Sequence, residues 1–303
     1  MTNNKSWVKY KNGNYYVFLN TVDGTKIRMT VDESDEFFIP DRPESVDMKI
    51  TDYCDMGCPW CHENSTPQGK HGDIDLAFID TFPSYQEIAV GGGNVLSHPD
   101  LEKLLEKLSN KQCFASITVN QNHFIENFDY IRSLRERNLI YGIGVSLSDS
   151  TDNRLARLMN ELPTSVLHCI NGILTSDDVA NLSGQGLKLL ILGYKNIRRG
   201  AQFKTSKEKT VENNIQWLND NLNNIFQSFN IVSFDNLALE QLNVKDKVSS
   251  DIWDKFYMGD DGQHTFYIDM VNEEYAISST SLERYPIANK TVVEMFEHIR
   301  QLS

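Results

Sequence analysis

Apolar and polar positions alternate over the first 30 residues and then change to a longer period. Residues 7–30 hold three β-rich segments separated by the turn pairs Asn12-Gly13 and Asp23-Gly24, which are typical of hairpins. From residue 46, short apolar runs alternate with segments whose apolar residues recur every three or four positions. The pattern therefore predicts a β-meander followed by strands that alternate with helices.

The alternating segments predict a parallel sheet, because a strand–helix repeat is typical of βαβ units. Six strands are expected, at residues 46–51, 87–90, 115–119, 143–147, 166–170 and 187–192. Helices are expected between them, at residues 99–108, 125–138, 152–160 and 176–182. The chain is thus of the α/β class, and its functional groups are expected at the carboxyl ends of the strands.

The pattern weakens after residue 207. A long polar helix is expected to about residue 228, then a strand at 230–234, a hairpin formed by 265–270 and 275–279, and a final helix at 291–302. The expected organisation is a meander and linker over residues 1–45, a core over 46–235, and an extension over 236–303 that packs on the core.

Composition narrows the class of protein. Apolar residues make up 40% and charged residues 23% of the 303 positions, which allows a sizeable core. No apolar run approaches the roughly 20 residues of a membrane helix, and the first residues lack the apolar segment of a secretory signal. A cytoplasmic protein without membrane contact is expected. The net charge of −13 argues against extended nucleic-acid binding, although a local basic patch is compatible with it.

Three of the five cysteines lie within eight residues, at Cys54, Cys58 and Cys61, with the spacing C-x3-C-x2-C. An iron–sulfur cubane normally takes four cysteine ligands, so three would leave one iron open to a small molecule. An alternative is a structural zinc site completed by His62 or His71. Disulfides are not favoured, because the cysteine count is odd and no secretory signal is present.

This loop, with Trp60 directly before the third cysteine, resembles the cluster loop of the radical S-adenosylmethionine (radical SAM) enzymes. The resemblance covers roughly residues 46–195 and implies a partial (β/α)6-type barrel, here with an N-terminal β-meander and a C-terminal hairpin-plus-helix extension. It implies that Cys54, Cys58 and Cys61 hold a [4Fe-4S] cluster. S-adenosyl-L-methionine would chelate the fourth iron, with Trp60 beside its adenine.

The run Gly91, Gly92, Gly93 and Asn94 follows the second core strand, in the place of the family's Gly-Gly-Glu-type motif. The resemblance implies contact with the methionine ammonium of the cofactor. Asn94 stands where an acidic residue is frequent, so its amide oxygen would accept a hydrogen bond without a full charge. The alternative is an ordinary tight turn before the next helix.

Two polar residues end later strands, Asn120 and Ser146. The resemblance places both at positions that reach the ribose or carboxylate of the cofactor. The alternative for each is to cap a strand end or the next helix.

A basic run begins just past the sixth strand and includes Lys195, Arg198 and Arg199. Clustered cations there suit an anionic substrate, and His62 could also face substrate or adjust the cluster potential. The alternatives are a solvated loop for the run and a hydrogen-bonded loop residue for His62. Cys113 and Cys169 are expected to be small buried residues, with a redox role as the alternative.

The resemblance implies an enzyme that reductively cleaves S-adenosylmethionine to a 5′-deoxyadenosyl radical and abstracts a substrate hydrogen. A peptide or protein side chain is the first expectation for the substrate, and a nucleotide or nucleoside is the second. An electron donor such as flavodoxin or ferredoxin is implied as a partner. The alternative from another class is a non-catalytic, zinc-stabilised binding protein.

Overall fold

A computed structural model describes residues 6–302 of the chain. The N-terminal part is a three-stranded antiparallel sheet formed by β1 (Trp7–Asn12), β2 (Tyr15–Asn20) and β3 (Lys26–Thr30). Both turns fall at the predicted glycines, so the β-meander is confirmed.

A second sheet of ten strands forms the body of the molecule. Its strands are β4 Ser45–Thr51, β5 Glu87–Gly92, β6 Phe114–Asn120, β7 Gly142–Ser146, β8 Ser165–Ile170, β9 Lys188–Leu192, β10 Ile231–Phe234, β11 Thr265–Asp269, β12 Glu274–Ala276 and β13 Tyr285–Pro286. Strands β4 to β10 lie side by side in chain order and are parallel. Strand β11 adds in parallel to the other side of β4, and β12 and β13 continue the sheet antiparallel.

The connections are helical. The helices are α1 Leu101–Asn110, α2 Gln121–Glu126, α3 Phe128–Glu136, α4 Arg154–Glu161, α5 Ser176–Leu182, α6 Arg198–Ser206, α7 Glu208–Asp220, α8 Leu222–Ser228, α9 Asn236–Gln241, α10 Ser250–Phe256 and α11 Val292–Arg300. Short 3-10 turns lie at Ala77–Thr81, Val95–Ser97 and Val244–Lys247. The predicted partial (β/α)6-type barrel with its C-terminal hairpin and helix is confirmed, and the sheet does not close on itself within residues 6–302.

Four details differ from the prediction. The helix expected over 125–138 begins earlier and is broken at Asn127, and the long polar helix is broken at Asn221. The basic run forms a helix of its own, α6. The predicted hairpin is present, but its first strand also extends the barrel sheet through β4. None of the helices in residues 6–302 is long and apolar enough to cross a bilayer.

The two faces of the barrel sheet differ. Apolar residues such as Val46, Met48 and Ile50 point outward and pack under the helices in one continuous core. The alternate residues of the same strand, Asp47 and Lys49, point to the concave face. Polar and small residues thus line the inside of the barrel, which leaves room for ligands.

Glu44, whose side chain is 1% exposed, connects the meander to the barrel through hydrogen bonds and ion pairs. Its carboxylate accepts hydrogen bonds from the Tyr15 hydroxyl at 2.7 Å and from the Arg28 Nε at 2.7 Å, and pairs with the Lys26 Nζ at 3.1 Å. Burial alone would raise the pKa of Glu44, but the charges of Lys26 and Arg28 outweigh it and lower that pKa to about 2.

Candidate functional site

The cysteine loop follows β4 directly and is held by backbone hydrogen bonds. The Cys54 amide donates to the Thr66 carbonyl at 3.0 Å, and the Cys61 amide donates to the Cys58 carbonyl at 3.2 Å. Residues 62–72 fold back along the loop, since short bridges join Thr51 to His71 and Tyr53 to Thr66. The loop is therefore fixed before any ligand binds.

The three loop thiols are free and partly buried. Burial raises the pKa of Cys54 and of Cys58, and the Cys61 thiol adds to the effect. Within residues 6–302, however, no three His, Cys, Asp or Glu side chains converge on one point as a single ion would need. A zinc ion holds every thiolate at about 2.3 Å, whereas a cluster offers each thiolate a different iron.

Both histidines that could complete a zinc site have other partners. The His71 Nδ1 lies 2.9 Å from the Thr51 hydroxyl, and the His62 Nε2 lies 3.2 Å from the Lys195 Nζ and 3.2 Å from the Glu63 carboxylate. Both histidines are thus engaged elsewhere, and a donor set of three thiols fits an iron–sulfur cluster with one open iron.

The glycine run packs against the loop. The Gly93 amide donates to the Thr51 carbonyl at 2.7 Å, and the Asn94 amide donates to the Tyr53 carbonyl at 2.6 Å. A Cβ on Gly93 would lie 2.1 Å from the Tyr53 carbonyl oxygen, so a side chain there is excluded by the protein itself. A Cβ on Gly91 would meet nothing within 4 Å, because it points into the open interior of the barrel.

The Asn94 side chain is already engaged. Its Oδ1 accepts from the Leu96 amide at 3.2 Å, and its Nδ2 lies 3.3 Å from the His123 Nε2. The same imidazole nitrogen lies 2.8 Å from Asp55, inside the cysteine loop. Asn94 and His123 therefore connect the glycine run, the loop and helix α2.

A cavity of about 110 Å³ lies between the loop and the carboxyl ends of β6 to β9. Its lining brings together four residues that the sequence singled out for cofactor or cluster, namely Cys58, Trp60, Asn120 and Ser146. Asn120 pairs with Ser146 across β6 and β7. Asn120 also caps α2, where its Oδ1 accepts from the Asn122 amide at 2.9 Å, so the capping role considered for it as the alternative is present, and its contact with the cofactor stays a prediction.

The sequence interpretation missed His168, which pairs with Ser146 and lines the same cavity. A Cβ on Gly144 would lie 2.2 Å from the imidazole, so the glycine of the adjacent strand makes room for this ring. Burial lowers the pKa of His168 to about 4, which keeps the ring neutral near pH 7. The sequence does contain a sign of this role, because His168 is a polar residue within the apolar strand β8.

A buried lysine, Lys49, forms ion pairs with residues at both ends of the cysteine loop. The Lys49 Nζ lies 2.6 Å from Asp52, 3.3 Å from Glu63 and 3.0 Å from Asp269, and its side chain is 3% exposed. These ion pairs join the start and end of the cysteine loop to β11. Because breaking a buried pair leaves an uncompensated charge, Lys49 positions the loop relative to the sheet.

The basic run contacts the cysteine loop. The Arg198 Nη1 donates to the His62 carbonyl at 3.1 Å and lies 3.3 Å from the Glu63 carboxylate. The Arg199 Nη2 donates to the Ser65 carbonyl at 2.6 Å, while its Nε is buried without a partner in the described part of the chain. The Lys195 Nζ also donates to the Ser279 hydroxyl at 2.8 Å.

The two remaining cysteines are buried. Cys113 packs in the main core, where burial raises the pKa of its thiol to about 11. Cys169 belongs to the same core and borders the cavity, and burial raises the pKa of its thiol as well. Both thiols are therefore protonated near neutral pH.

Three solved structures resemble the chain over most of its length. Streptococcus suis SuiB bound to S-adenosylmethionine is 11% identical, with a TM-score of 0.61 over 98% of this chain and 89% of that chain. SuiB bound to the precursor peptide SuiA is 11% identical, with a TM-score of 0.59 over 97% and 89%. Native anSMEcpe with bound AdoMet is 14% identical, with a TM-score of 0.50 over 85% and 82%.

At these identities the comparison shows that the chain shares the fold of these structures. No protein-family model matches the sequence, and no curated protein matches it.

Proposed function

We propose that this protein is a radical SAM enzyme with a cluster on Cys54, Cys58 and Cys61. The observation that carries the proposal is the shared cavity, in which Cys58 of the cysteine loop borders Trp60, Asn120 and Ser146 at the strand ends. A bound [4Fe-4S] cluster would supply the electron that cleaves S-adenosylmethionine to a 5′-deoxyadenosyl radical, which abstracts a substrate hydrogen.

The residues of the chain bind and orient the cofactor. Trp60 and the apolar side chains Ile170, Leu174 and Leu192 give the cavity an apolar wall suited to an adenine ring. The Ser146 hydroxyl and the Asn120 amide place polar groups at the strand ends, where a ribose or a carboxylate needs hydrogen bonds. Gly91 leaves space for close approach, and Gly92, Gly93 and Asn94 hold that strand end against the loop.

A peptide or protein side chain is the substrate class we favour. Two of the structural neighbours are described with peptides, SuiB with the precursor peptide SuiA and anSMEcpe with the Cp18Cys peptide. Four residues stay proposed substrate contacts, namely His62, Lys195, Arg198 and Arg199. Their hydrogen bonds and ion pairs at the cysteine loop also give them a role in positioning that loop. A flavodoxin or a ferredoxin is the proposed electron donor, and the cytoplasm is the proposed location.

The test is anaerobic reconstitution followed by incubation with dithionite and S-adenosylmethionine. The wild-type protein should bind about four irons and release 5′-deoxyadenosine. Cys54→Ala, Cys58→Ala and Cys61→Ala should each lose the stable cluster and the product. Cys113→Ala is the matched control and should keep both, because that thiol lies in the main core away from the loop.

Stoichiometric zinc without iron would support a zinc-stabilised binding protein instead. About eight irons per chain would contradict the expectation of a single cluster, since two isolated buried thiols do not make a four-ligand set.

A further inference from the structure

Backbone hydrogen bonds hold the two ends of the cysteine loop but not residues 55–57, which lie between Cys54 and Cys58 and which we call the outer arm. None of its amides or carbonyls takes part in a backbone–backbone hydrogen bond within residues 6–302. Asp55 and Gly57 are exposed, and Gly57 has a φ of +63°, so the chain turns there in the left-handed region that favours glycine. The position of the outer arm therefore depends on contacts of its side chains.

The only side chain of the outer arm with a hydrogen bond in the described part of the chain is that of Asp55. Its Oδ1 lies 2.8 Å from the His123 Nε2, a distance typical of a charge-assisted bond from an imidazole N–H to a carboxylate. The Asn94 Nδ2 lies 3.3 Å from the same nitrogen, but a nitrogen that donates its proton to Asp55 cannot also accept one from an amide. The shorter contact therefore makes Asp55 the hydrogen-bond partner of His123.

His123 is held firmly in helix α2, and its side chain is 7% exposed. Before it in the helix, the Gln121 Oε1 accepts from the Ser148 amide at 2.8 Å and from the Asp149 amide at 2.9 Å. After it, Phe124 is fully buried in the main core. Because the helix is fixed on both sides of His123, the imidazole has a defined position to which the outer arm can bind.

Helix α2 also borders the proposed cofactor cavity. Its N-cap, Asn120, ends β6 and lines that cavity together with Cys58. His123 follows Asn120 by about one helical turn. The hydrogen bond to Asp55 thus connects the outer arm to the strand end that carries Asn120. A site built from two such segments needs them in fixed relative positions, because a displacement of about 1 Å can remove much of its activity.

The bond between Asp55 and His123 is expected to act locally. Asp55 is 54% exposed, so water competes for its carboxylate and the contribution to global stability is small. The imidazole is buried and already ordered, so its side chain loses little conformational entropy when the bond forms. Loss of the bond should therefore let the outer arm open more often without unfolding the protein.

We propose that His123 is a positioning residue that holds the outer arm against α2 through Asp55, so that Cys54 and Cys58 keep one geometry relative to the cofactor cavity. That this geometry serves a cluster rests on the proposed function. The hydrogen bond itself does not, because it joins two side chains of the protein and needs neither iron nor S-adenosylmethionine.

The first test is hydrogen exchange of the full chain without iron, read by mass spectrometry of peptides that cover residues 52–61. His123→Phe retains a flat ring but cannot donate, so exchange over these residues should be at least about threefold faster than in the wild type. Asp55→Ala should have the same effect, and the double variant should exchange no faster than either single variant, because both changes remove one bond. His123→Gln should restore slow exchange, since its amide can donate to Asp55.

His298→Phe is the matched control. The His298 imidazole is half-buried and lies 2.8 Å from the Tyr275 hydroxyl, in the C-terminal extension, so its loss should leave exchange over residues 52–61 unchanged. Exchange over residues 7–30 of the meander should stay at the wild-type rate in every variant, which a general loss of stability would not allow.

The second test is the loss of iron to EDTA from the reconstituted protein under anaerobic conditions. His123→Phe and Asp55→Ala should lose iron at least about threefold faster than the wild type and than His298→Phe, because groups that orient metal ligands strengthen metal retention.

Wild-type exchange over residues 52–61 in His123→Phe, or additive effects in the double variant, would overturn the proposal. Faster exchange without faster loss of iron would overturn it as well. If His123→Phe does not fold, wild-type exchange in Asp55→Ala is the outcome that overturns it. A wild-type protein that takes up no iron would reject the proposed function, and the exchange rates would still decide whether His123 holds the outer arm.

Discussion

Adjacent glycines of the Gly91–Gly93 segment serve different purposes. A Cβ on Gly92 would lie 2.4 Å from the Thr51 carbonyl oxygen, and the residue has a φ of +120°, which L side chains rarely adopt. Gly91 has neither constraint, and its missing side chain leaves open space inside the barrel. Gly92 is therefore needed for the conformation of the loop, whereas Gly91 leaves space at the proposed cofactor site.

This difference predicts opposite results for two alanine variants. Gly92→Ala should destabilise the protein by about 1–3 kcal/mol, because it imposes backbone strain next to β4, and should impair iron loading. Gly91→Ala should fold and load iron normally but bind S-adenosylmethionine more weakly. Thermal unfolding, iron content and calorimetry with the cofactor distinguish the two. Undiminished cofactor affinity in Gly91→Ala would contradict the assignment.

The residues that the sequence proposed for the site all lie where a predicted strand ends or where a short motif stands out. Trp60, Asn120 and Ser146 belong to this group, and the structure places them in one cavity. Asp47 and His168 were not predicted to line cavities, because each is a polar residue in the middle of an apolar strand. Their inward direction depends on the register of the sheet, which the periodicity of one strand does not define.

At the scale of elements, the meander is attached through one buried carboxylate. Glu44 precedes β4 and binds side chains from both β2 and β3, which brings the β2–β3 turn to the amino-terminal ends of the barrel strands. The strands of the meander were predictable from local turns. Its docking was not, because a contact between Glu44 and Arg28 depends on how two sheets pack.

The role of Glu44 predicts a large and pH-dependent effect of Glu44→Gln. The variant should lose about 3–5 kcal/mol of stability at pH 7, since it leaves Arg28 buried without its counter-ion and Lys26 with Glu87 alone. The folded-state pKa of about 2 lies below the ordinary value of 4.5, so this stabilisation is complete above about pH 4.5 and is lost as the pH falls towards 2.

Urea unfolding of wild type and Glu44→Gln at pH 7 and pH 3 provides the measurement. The difference between the two proteins should be smaller at pH 3. Glu33→Gln, which alters an exposed carboxylate in the linker, should change little at either pH. Equal stability of Glu44→Gln and wild type at pH 7 would show that the meander is held by other contacts.

Long-range pairing accounts for the remaining differences in the fold. Residues 265–269 were expected to form only a hairpin, yet β11 also pairs with β4, more than 200 positions earlier in the chain. The periodicity of apolar residues predicted one continuous helix at each of two places where the structure has a break, at Asn127 and at Asn221. The apolar spacing continues across both residues, so it does not reveal that the backbone leaves the helical conformation there.

At the scale of the whole molecule, polar residues inside the barrel that leave room for a ligand also reduce the stability of the fold. The net charge of −13 is spread mostly over exposed residues, where water screens it. Asp47 differs in its position, because its carboxylate, although exposed to a cavity, lies inside the barrel near Asp235 and Asp261 and lacks a direct partner in the described chain. A group that weakens the fold and faces a cavity is expected at a binding site.

This conflict predicts that Asp47→Asn raises the melting temperature at pH 7.5. Burial raises the folded-state pKa of Asp47 to about 6, above the ordinary value of 3.8. The folded state therefore holds the proton more tightly than the unfolded state, and wild-type stability falls as the pH rises from about 4 to 6. Asparagine lacks this titration, so the gain in the variant should appear above pH 6 and vanish near pH 4.

Thermal unfolding of wild type, Asp47→Asn and Asp23→Asn from pH 4 to 7.5 provides the measurement. Asp23→Asn is the control, because a backbone hydrogen bond from Thr25 lowers the pKa of that carboxyl, so its removal should not stabilise the protein. A melting temperature of Asp47→Asn that is lower than that of wild type at pH 7.5 would show that the carboxylate has a partner in solution.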